Sequence, residues 1–128
     1  MKEIKRCPIE TAMKHVGRKW AIEILRDLHM GKKKFKEFLG NNPNLSTKML
    51  SHRLKELERD GIVEKVIASK TPLKIEYKLT EKGVDLNRVL YELAMFSFKH
   101  YSEEVFDRTV KFNKASCDML TRKSLGIK

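Results

Sequence analysis

No run of apolar residues in this 128-residue chain approaches the roughly 18 that a membrane span requires. The opening stretch Met1-Lys2-Glu3-Ile4-Lys5-Arg6 lacks the apolar core of a secretory signal. The chain is therefore expected to stay in the cytoplasm, without a membrane partner. Cysteine is scarce as well. Cys7 and Cys117 are the only two, too few and too far apart for a disulfide framework or a CxxC metal half-site, and both are expected to be reduced at rest. The four histidines, His15, His29, His52 and His100, form no HExxH pattern, and the sequence holds neither a glycine-rich phosphate loop nor a GxSxG elbow. The chain is read as a non-enzyme, with no cofactor and no metal, and nothing in it names a small-molecule effector.

Acidic residues are outnumbered by basic ones. Seventeen Asp and Glu face 28 Lys and Arg, a net charge of +11, which favours a polyanionic partner such as nucleic acid or an acidic surface over a neutral one. A merely well-solvated surface would show the same excess, so the placement of the charges has to decide. The length suits one domain with appendages.

Pro8 suits the first position of a helix, with Glu10 in its first turn, and this helix should run to about Val16. Gly17-Arg18 interrupts it. Trp20, Ile24, Leu25 and Leu28 then recur at helical spacing as far as Gly31, with Trp20 expected in the core. Phe35 to Leu39 reads as a short third helix closed by Gly40, followed by a turn at Asn41-Asn42-Pro43-Asn44. Ser46 is a good cap for a fourth helix, Thr47 to Asp60, whose Leu50, Leu54 and Leu57 form one apolar stripe before Gly61 ends it. Two helices joined by a tight turn in this order are a helix-turn-helix. Two strands with clean alternation follow, at residues 62–67 and 75–79, joined by a basic loop. A hairpin in that place is a wing. Thr80 can cap a long helix from Glu81 to about Tyr101, and from Glu103 onward Phe106, Val110, Asn113, Cys117 and Leu120 suggest another.

The fold class expected is mainly α with a small β-hairpin, a winged helix-turn-helix flanked by N- and C-terminal helices. The fourth helix carries the functional argument. Opposite its leucine stripe, at 100° per residue, lie Lys48, Ser51, His52, Lys55 and Arg59, with Thr47 on the first turn and Glu56 and Glu58 at the flanks. A helix fits the major groove of B-DNA, where each base pair displays its own donor and acceptor pattern. Thr47, Lys48, Ser51 and His52 are the candidates for base readout, because the first turns of a recognition helix reach the base edges. Lys55 and Arg59 are candidate phosphate contacts. Arg53, nearer the buried edge, is expected either to reach a phosphate or to pair with an acid such as Glu56 or Glu37. Lys32, Lys33 and Lys34, with Lys36, surround the start of the third helix, where free N–H groups and the helix dipole favour a phosphate. Lys70 and Lys74 flank the wing tip, stiffened by Pro72, where they can lie along the DNA backbone. The long helix after the wing has more apolar residues than one small core can absorb. Leu86, Val89, Leu90, Leu93, Phe96 and Phe98 are therefore expected at a homodimer interface.

The order of these segments resembles the HxlR-type winged-helix transcriptional regulators, a MarR-like group. The resemblance runs over about residues 7–101. It rests on Cys7-Pro8-Ile9-Glu10-Thr11-Ala12, Gly17-Arg18-Lys19-Trp20, Phe35-Lys36-Glu37, Leu45-Ser46, Arg53-Leu54-Lys55-Glu56-Leu57-Glu58, Asp60-Gly61-Ile62-Val63 and Pro72 through Gly83. It implies a winged helix-turn-helix domain over residues 1–101, dimerisation helix included, and a C-terminal helical extension over 102–128. It further implies a homodimer on a palindromic double-stranded DNA operator. Leu73 stands where many members have a second proline. Cys7 sits at a helix start beside Lys5 and Arg6, a setting that favours thiolate. The resemblance makes it a candidate redox or electrophile sensor, with a small inert interface residue as the alternative. The competing function is a winged-helix module that binds protein instead of DNA, since fold alone does not fix function.

Overall fold

The computed structural model describes residues 3–107 and 113–128. Contacts divide the chain into two compact units, one up to Gly83 and one from Val84. That division follows compactness, whereas the boundary expected at residue 101 follows the extent of the family resemblance.

The first unit contains α1 (Pro8–Val16), α2 (Ala21–His29), α3 (Phe35–Asn41), α4 (Thr47–Arg59) and the antiparallel pair β1 (Val63–Lys70) and β2 (Leu73–Leu79). Helix α5 (Glu81–Val84) follows at the boundary. Ile24, Leu25, Phe38, Leu50, Leu54, Leu57 and Val63 are almost fully buried and make the core. Each such side chain contributes about 1.5–3 kcal/mol relative to exposure. Trp20 is only partly buried; it precedes α2 in the left-handed region (φ 76°) with the Lys19 ammonium 5.9 Å from its ring. The expectation of a core tryptophan is therefore corrected.

Gly40 does not close α3. The helix runs through Asn41 because Asn42 provides the stop, its side-chain amide donating to the Phe38 carbonyl at 2.8 Å. At the other end of the turn the Ser46 hydroxyl accepts from Met49 N–H at 3.1 Å, as the sequence suggests. Gly61 ends α4 with φ +73°, a conformation that side chains disfavour.

The wing turn is tighter than the basic loop read from sequence. Lys70 pairs with Leu73, so only Thr71-Pro72, joined by a cis peptide bond, lie between the strands, and an irregularity at Ala68 shifts the register. Tyr77 N–H donates to the Lys33 carbonyl at 2.8 Å, fastening β2 to the segment before α3.

The single long helix expected from Glu81 to Tyr101 is broken. Helix α5 stops at Val84, and α6 runs over Asn87–His100. Gly83 lies so close to the Ile62 carbonyl that a Cβ would come within 2.2 Å of its oxygen. Lys82 Nζ donates to the Asp60 carbonyl at 2.7 Å, and the Thr80 hydroxyl donates to Gly61 O at 2.6 Å. The α5 turn is thereby held to the end of α4 and the start of β1, and a new helix starts beyond it. The second unit consists of α6, α7 (Ser102–Val105) and α8 (Lys114–Leu125), with α8 packed on α6. Of the residues marking the last helix in the sequence, Val110 lies outside the described residues.

Candidate nucleic-acid interface

Helix α4 presents the face that the leucine stripe predicts. Leu50, Leu54 and Leu57 are buried, while Thr47, Lys48, His52, Lys55 and Arg59 are exposed and Ser51 is half-buried. The flank differs from expectation. Glu56 is buried, 7% exposed, not at the rim of the outer face. Its carboxylate meets the Arg18 guanidinium, accepts from Arg53 Nη1 at 2.5 Å and lies 3.1 Å from His52 Nε2.

Arg53 is fixed by the same arrangement. Its Nε donates to the Lys19 carbonyl at 2.7 Å and its side chain is only 13% exposed. Of the two roles read from sequence, pairing with Glu56 is the one its geometry takes, and the phosphate role is corrected. With Glu56 withdrawn, Glu58 is the remaining exposed acid within α4, and the outward Lys48, Lys55 and Arg59 dominate the local field. Arg59 stays 67% exposed and only loosely approaches Asp60, at 3.8 Å.

The start of α3 is also different from the reading of the sequence. The Glu37 carboxylate accepts from Lys33 N–H at 3.2 Å and Lys34 N–H at 3.0 Å, so these donors are already engaged. Those two backbone bonds, aided by the charges of Lys32 and Lys34, hold the Glu37 carboxyl below the usual range. Lys32, Lys33, Lys34 and Lys36 remain exposed. An anion held here would be met by their ammonium groups, beside a Glu37 carboxylate that already takes the Lys33 and Lys34 N–H groups. Lys70 and Lys74 are exposed on the two strands beside the wing turn.

Four residues that position the helix-turn-helix, Arg26, Asp27, Asn41 and Asn42, were not singled out from sequence as a site. The Asp27 carboxylate on α2 is fully buried and accepts from Asn41 Nδ2 at 2.6 Å, Asn42 Nδ2 at 2.8 Å and Arg26 Nε at 3.0 Å. Arg26 Nη2 in turn donates to Asn42 Oδ1 at 2.9 Å. The Asn41-Asn42 turn that aims α4 is thus anchored to α2 by a charge-assisted network. At the far end of α4, His15 Nδ1 lies 3.1 Å from Asp60 Oδ2, and this hydrogen bond, first among the causes, lowers the Asp60 carboxyl pKa. Tyr77 packs edge-on against Phe38, centroids 6.4 Å apart, and burial pushes its phenol up, with a smaller contribution from Glu58.

In the second unit the six apolar residues assigned to a dimer interface separate. Leu90 is buried within the single chain, Leu86 is half-buried, and Phe98 stacks on Phe106 with centroids 5.5 Å apart. Val89, Leu93 and Phe96 are 44%, 48% and 55% exposed. Cys7 is exposed immediately before α1, and Cys117 is buried on α8. Among the described residues no group of His, Cys, Asp and Glu is placed to hold a metal, and no helix is long and apolar enough to cross a membrane.

A tight two-helix turn followed by a two-stranded wing defines a winged helix-turn-helix, and the proteins this chain resembles are transcriptional regulators. Residues 15–105 match the HxlR-like helix-turn-helix model, and the chain belongs to that family. It is 44% identical over 92 residues to the HTH-type transcriptional regulator YodB of Bacillus subtilis (strain 168), covering 71% of this chain and 82% of YodB. It is 38% identical over 109 residues to the uncharacterized HTH-type transcriptional regulator YdeP of the same organism, covering 85% and 81%. The reduced form of YodB superposes with a TM-score of 0.65 at 40% identity, covering 80% of this chain and 99% of that one. The redox regulator HypR in its oxidized form gives a TM-score of 0.69 at 34% identity, covering 73% and 97%. Helix α8 lies outside the residues matched to the family model.

Proposed function

We propose that this HxlR-type regulator binds double-stranded operator DNA as a homodimer, with one α4 of each subunit in the major groove of a half-site. The observation that carries this reading is the sorting of charge on α4. Arg53 and Arg18 draw Glu56 inward, leaving Lys48, Lys55 and Arg59 outward. The outer face of α4 is thereby left with Glu58 as its exposed acid against Lys48, Lys55 and Arg59, a basic surface suited to the phosphate backbone. Thr47, Lys48, Ser51 and His52 are assigned to base edges. Lys55, Arg59 and the exposed lysines at 32–34, 70 and 74 are assigned to phosphates. Exposed Ile9 and Met13 on α1, and Val89, Leu93 and Phe96 on α6, supply apolar surface for a partner subunit. A domain spanning residues 1–101 with a C-terminal extension, acting in the cytoplasm, accords with this role.

The test is affinity for duplex DNA by fluorescence anisotropy across a salt series. With roughly 6 to 10 phosphate contacts, affinity should fall by about 10³ to 10⁵ between 50 and 200 mM salt. A flat response would favour the protein-binding alternative for the winged helix.

A second reading concerns the signal. Cys7 is exposed, it precedes a helix N-terminus, and redox regulators are among the similar structures. We assign Cys7 as the thiol through which peroxide or a quinone alters operator binding. Wild type should lose or change binding on titration while Cys7→Ser does not. Equal responses would remove Cys7 from the mechanism.

A further inference from the structure

Helix α1 is held to its own unit at one end. Val16, its last residue, is its one buried side chain, while Ile9 and Met13, a turn apart on a common face, are 73% and 54% exposed. The Thr11 hydroxyl donates to the Cys7 carbonyl within the same segment. His15 reaches further, with Nδ1 3.1 Å from Asp60 Oδ2. Among the described residues this is the only side-chain hydrogen bond or ion pair that ties α1 to another element.

Asp60 is a fixed anchor for that tie. It closes α4, its N–H donates to Glu56 O at 2.9 Å, and its carbonyl accepts from Lys82 Nζ at 2.7 Å. The bond from His15 holds the Asp60 carboxyl below its ordinary range. An ionised carboxylate only accepts, so the bridging proton is on His15 Nδ1.

The two sides of α1 face different tasks. At 3.6 residues per turn His15 lies about 200° around the helix from Met13, so the bond to α4 is made from the side away from the apolar pair assigned to the partner subunit. The nine residues of α1 make a lever about 13 Å long. A pivot of about 15° at Val16 would carry its far end through about 3.4 Å, the length of one base-pair step. The bond from His15 opposes that pivot.

We propose that His15 is a positioning residue: by tying α1, the arm assigned to the partner, to the end of α4, it sets the separation of the two recognition helices and thereby the half-site spacing that the dimer accepts. This role rests on the dimeric DNA-binding reading, and the experiment separates the two.

The experiment measures the affinity of the full chain for duplexes carrying the two half-sites that wild type selects, at the selected spacing and with one base pair added or removed, beside a duplex with a single half-site. A misplaced half-site strains the His15 bond, and wild type should bind it at least about tenfold more weakly, the scale of one hydrogen bond to a charged group. His15→Ala should bind all three spacings within about threefold of one another, with its half-site sequence preference and single-half-site affinity unchanged. Asp60→Ala should level the three spacings in the same way. His15→Asn, whose amide places an N–H near the position of Nδ1, should restore the wild-type preference. The His15 side chain is 42% exposed, so these variants should keep the helical circular dichroism of wild type. A His15→Ala protein that retains the wild-type spacing profile would overturn the proposal and leave the DNA-binding reading standing. So would a lost preference that His15→Asn does not restore, or an equal loss of affinity for the single half-site. Failure of wild type to select any two-fold site would refute the dimeric reading itself, and this role with it.

Discussion

Removing the Asp27 carboxylate should disable the helix-turn-helix without touching any residue assigned to DNA. Asp27 is fully buried, and in Asp27→Ala the amides of Asn41 and Asn42 and the Arg26 guanidinium lose their common acceptor. The three donors fare differently. Asn42 is buried and keeps its bond to Phe38 O. Asn41 is exposed and Arg26 is 39% exposed, so water can rehydrate both and their share is discounted. Hydrogen bonds to a charged group contribute about 1.5–3 kcal/mol each. The buried Asn42 bond at full weight and the other two after that discount, together with the small void left by the carboxylate, come to about 3 kcal/mol, the lower end for breaking a buried pair. For a unit of this size, about 4–8 °C of melting temperature per kcal/mol turns that into a loss of at least about 12 °C. Thermal unfolding followed by circular dichroism reads it directly. Asp27→Asn, which keeps one acceptor oxygen, should fall between the variant and wild type. If Asp27→Ala melted within about 3 °C of wild type, less than 1 kcal/mol on the same scale, the network would not be what holds the turn.

Two further pairs of substitutions separate the assigned roles. Lys48→Ala or His52→Ala should change which duplex sequences are preferred, by about 1–3 kcal/mol per lost base contact. Lys34→Ala or Lys74→Ala should weaken all sequences alike; competition binding with a library of point-mutated sites distinguishes the two patterns, and the reverse outcome would exchange readout and anchoring. Leu93→Glu places a charge among the exposed apolar residues of α6 and should turn a dimer into a monomer in sedimentation velocity. A wild-type protein that already sediments as a monomer at micromolar concentration would remove the dimer from the account.

The elements that the sequence announces are those fixed by local chemistry. Pro8 at the start of α1, the Ser46 cap, the Leu50, Leu54 and Leu57 stripe and Gly61 each act within a few residues, so spacing alone reveals them. The same holds for the outward cations of α4. What spacing does not show is a polar side chain whose partner is distant in the chain. Asp27 meets Asn41 and Asn42 from 14 and 15 residues away, and Glu56 is drawn inward by Arg18 as well as by its helical neighbour Arg53. A helical wheel puts Glu56 at the flank because it weighs its polarity and not its ion pairs. The break between α5 and α6 is hidden in sequence for a related reason: Gly83 reads as a tolerated glycine in a helix, and its close approach to the Ile62 carbonyl is not local. The apolar run after the wing reads as one interface in sequence because its partners on α8 and at Phe106 are not local. With those in place, Val89, Leu93 and Phe96 are what remains exposed of it.

The central claim is that two copies of α4 read one DNA site, and selection of random duplex DNA on the purified full-length protein tests it most directly. The account predicts a recovered motif with two-fold symmetry, its half-sites centred about 10–10.5 base pairs apart or a multiple of that. Recovery of DNA with no shared motif, or of a single asymmetric half-site, would contradict it.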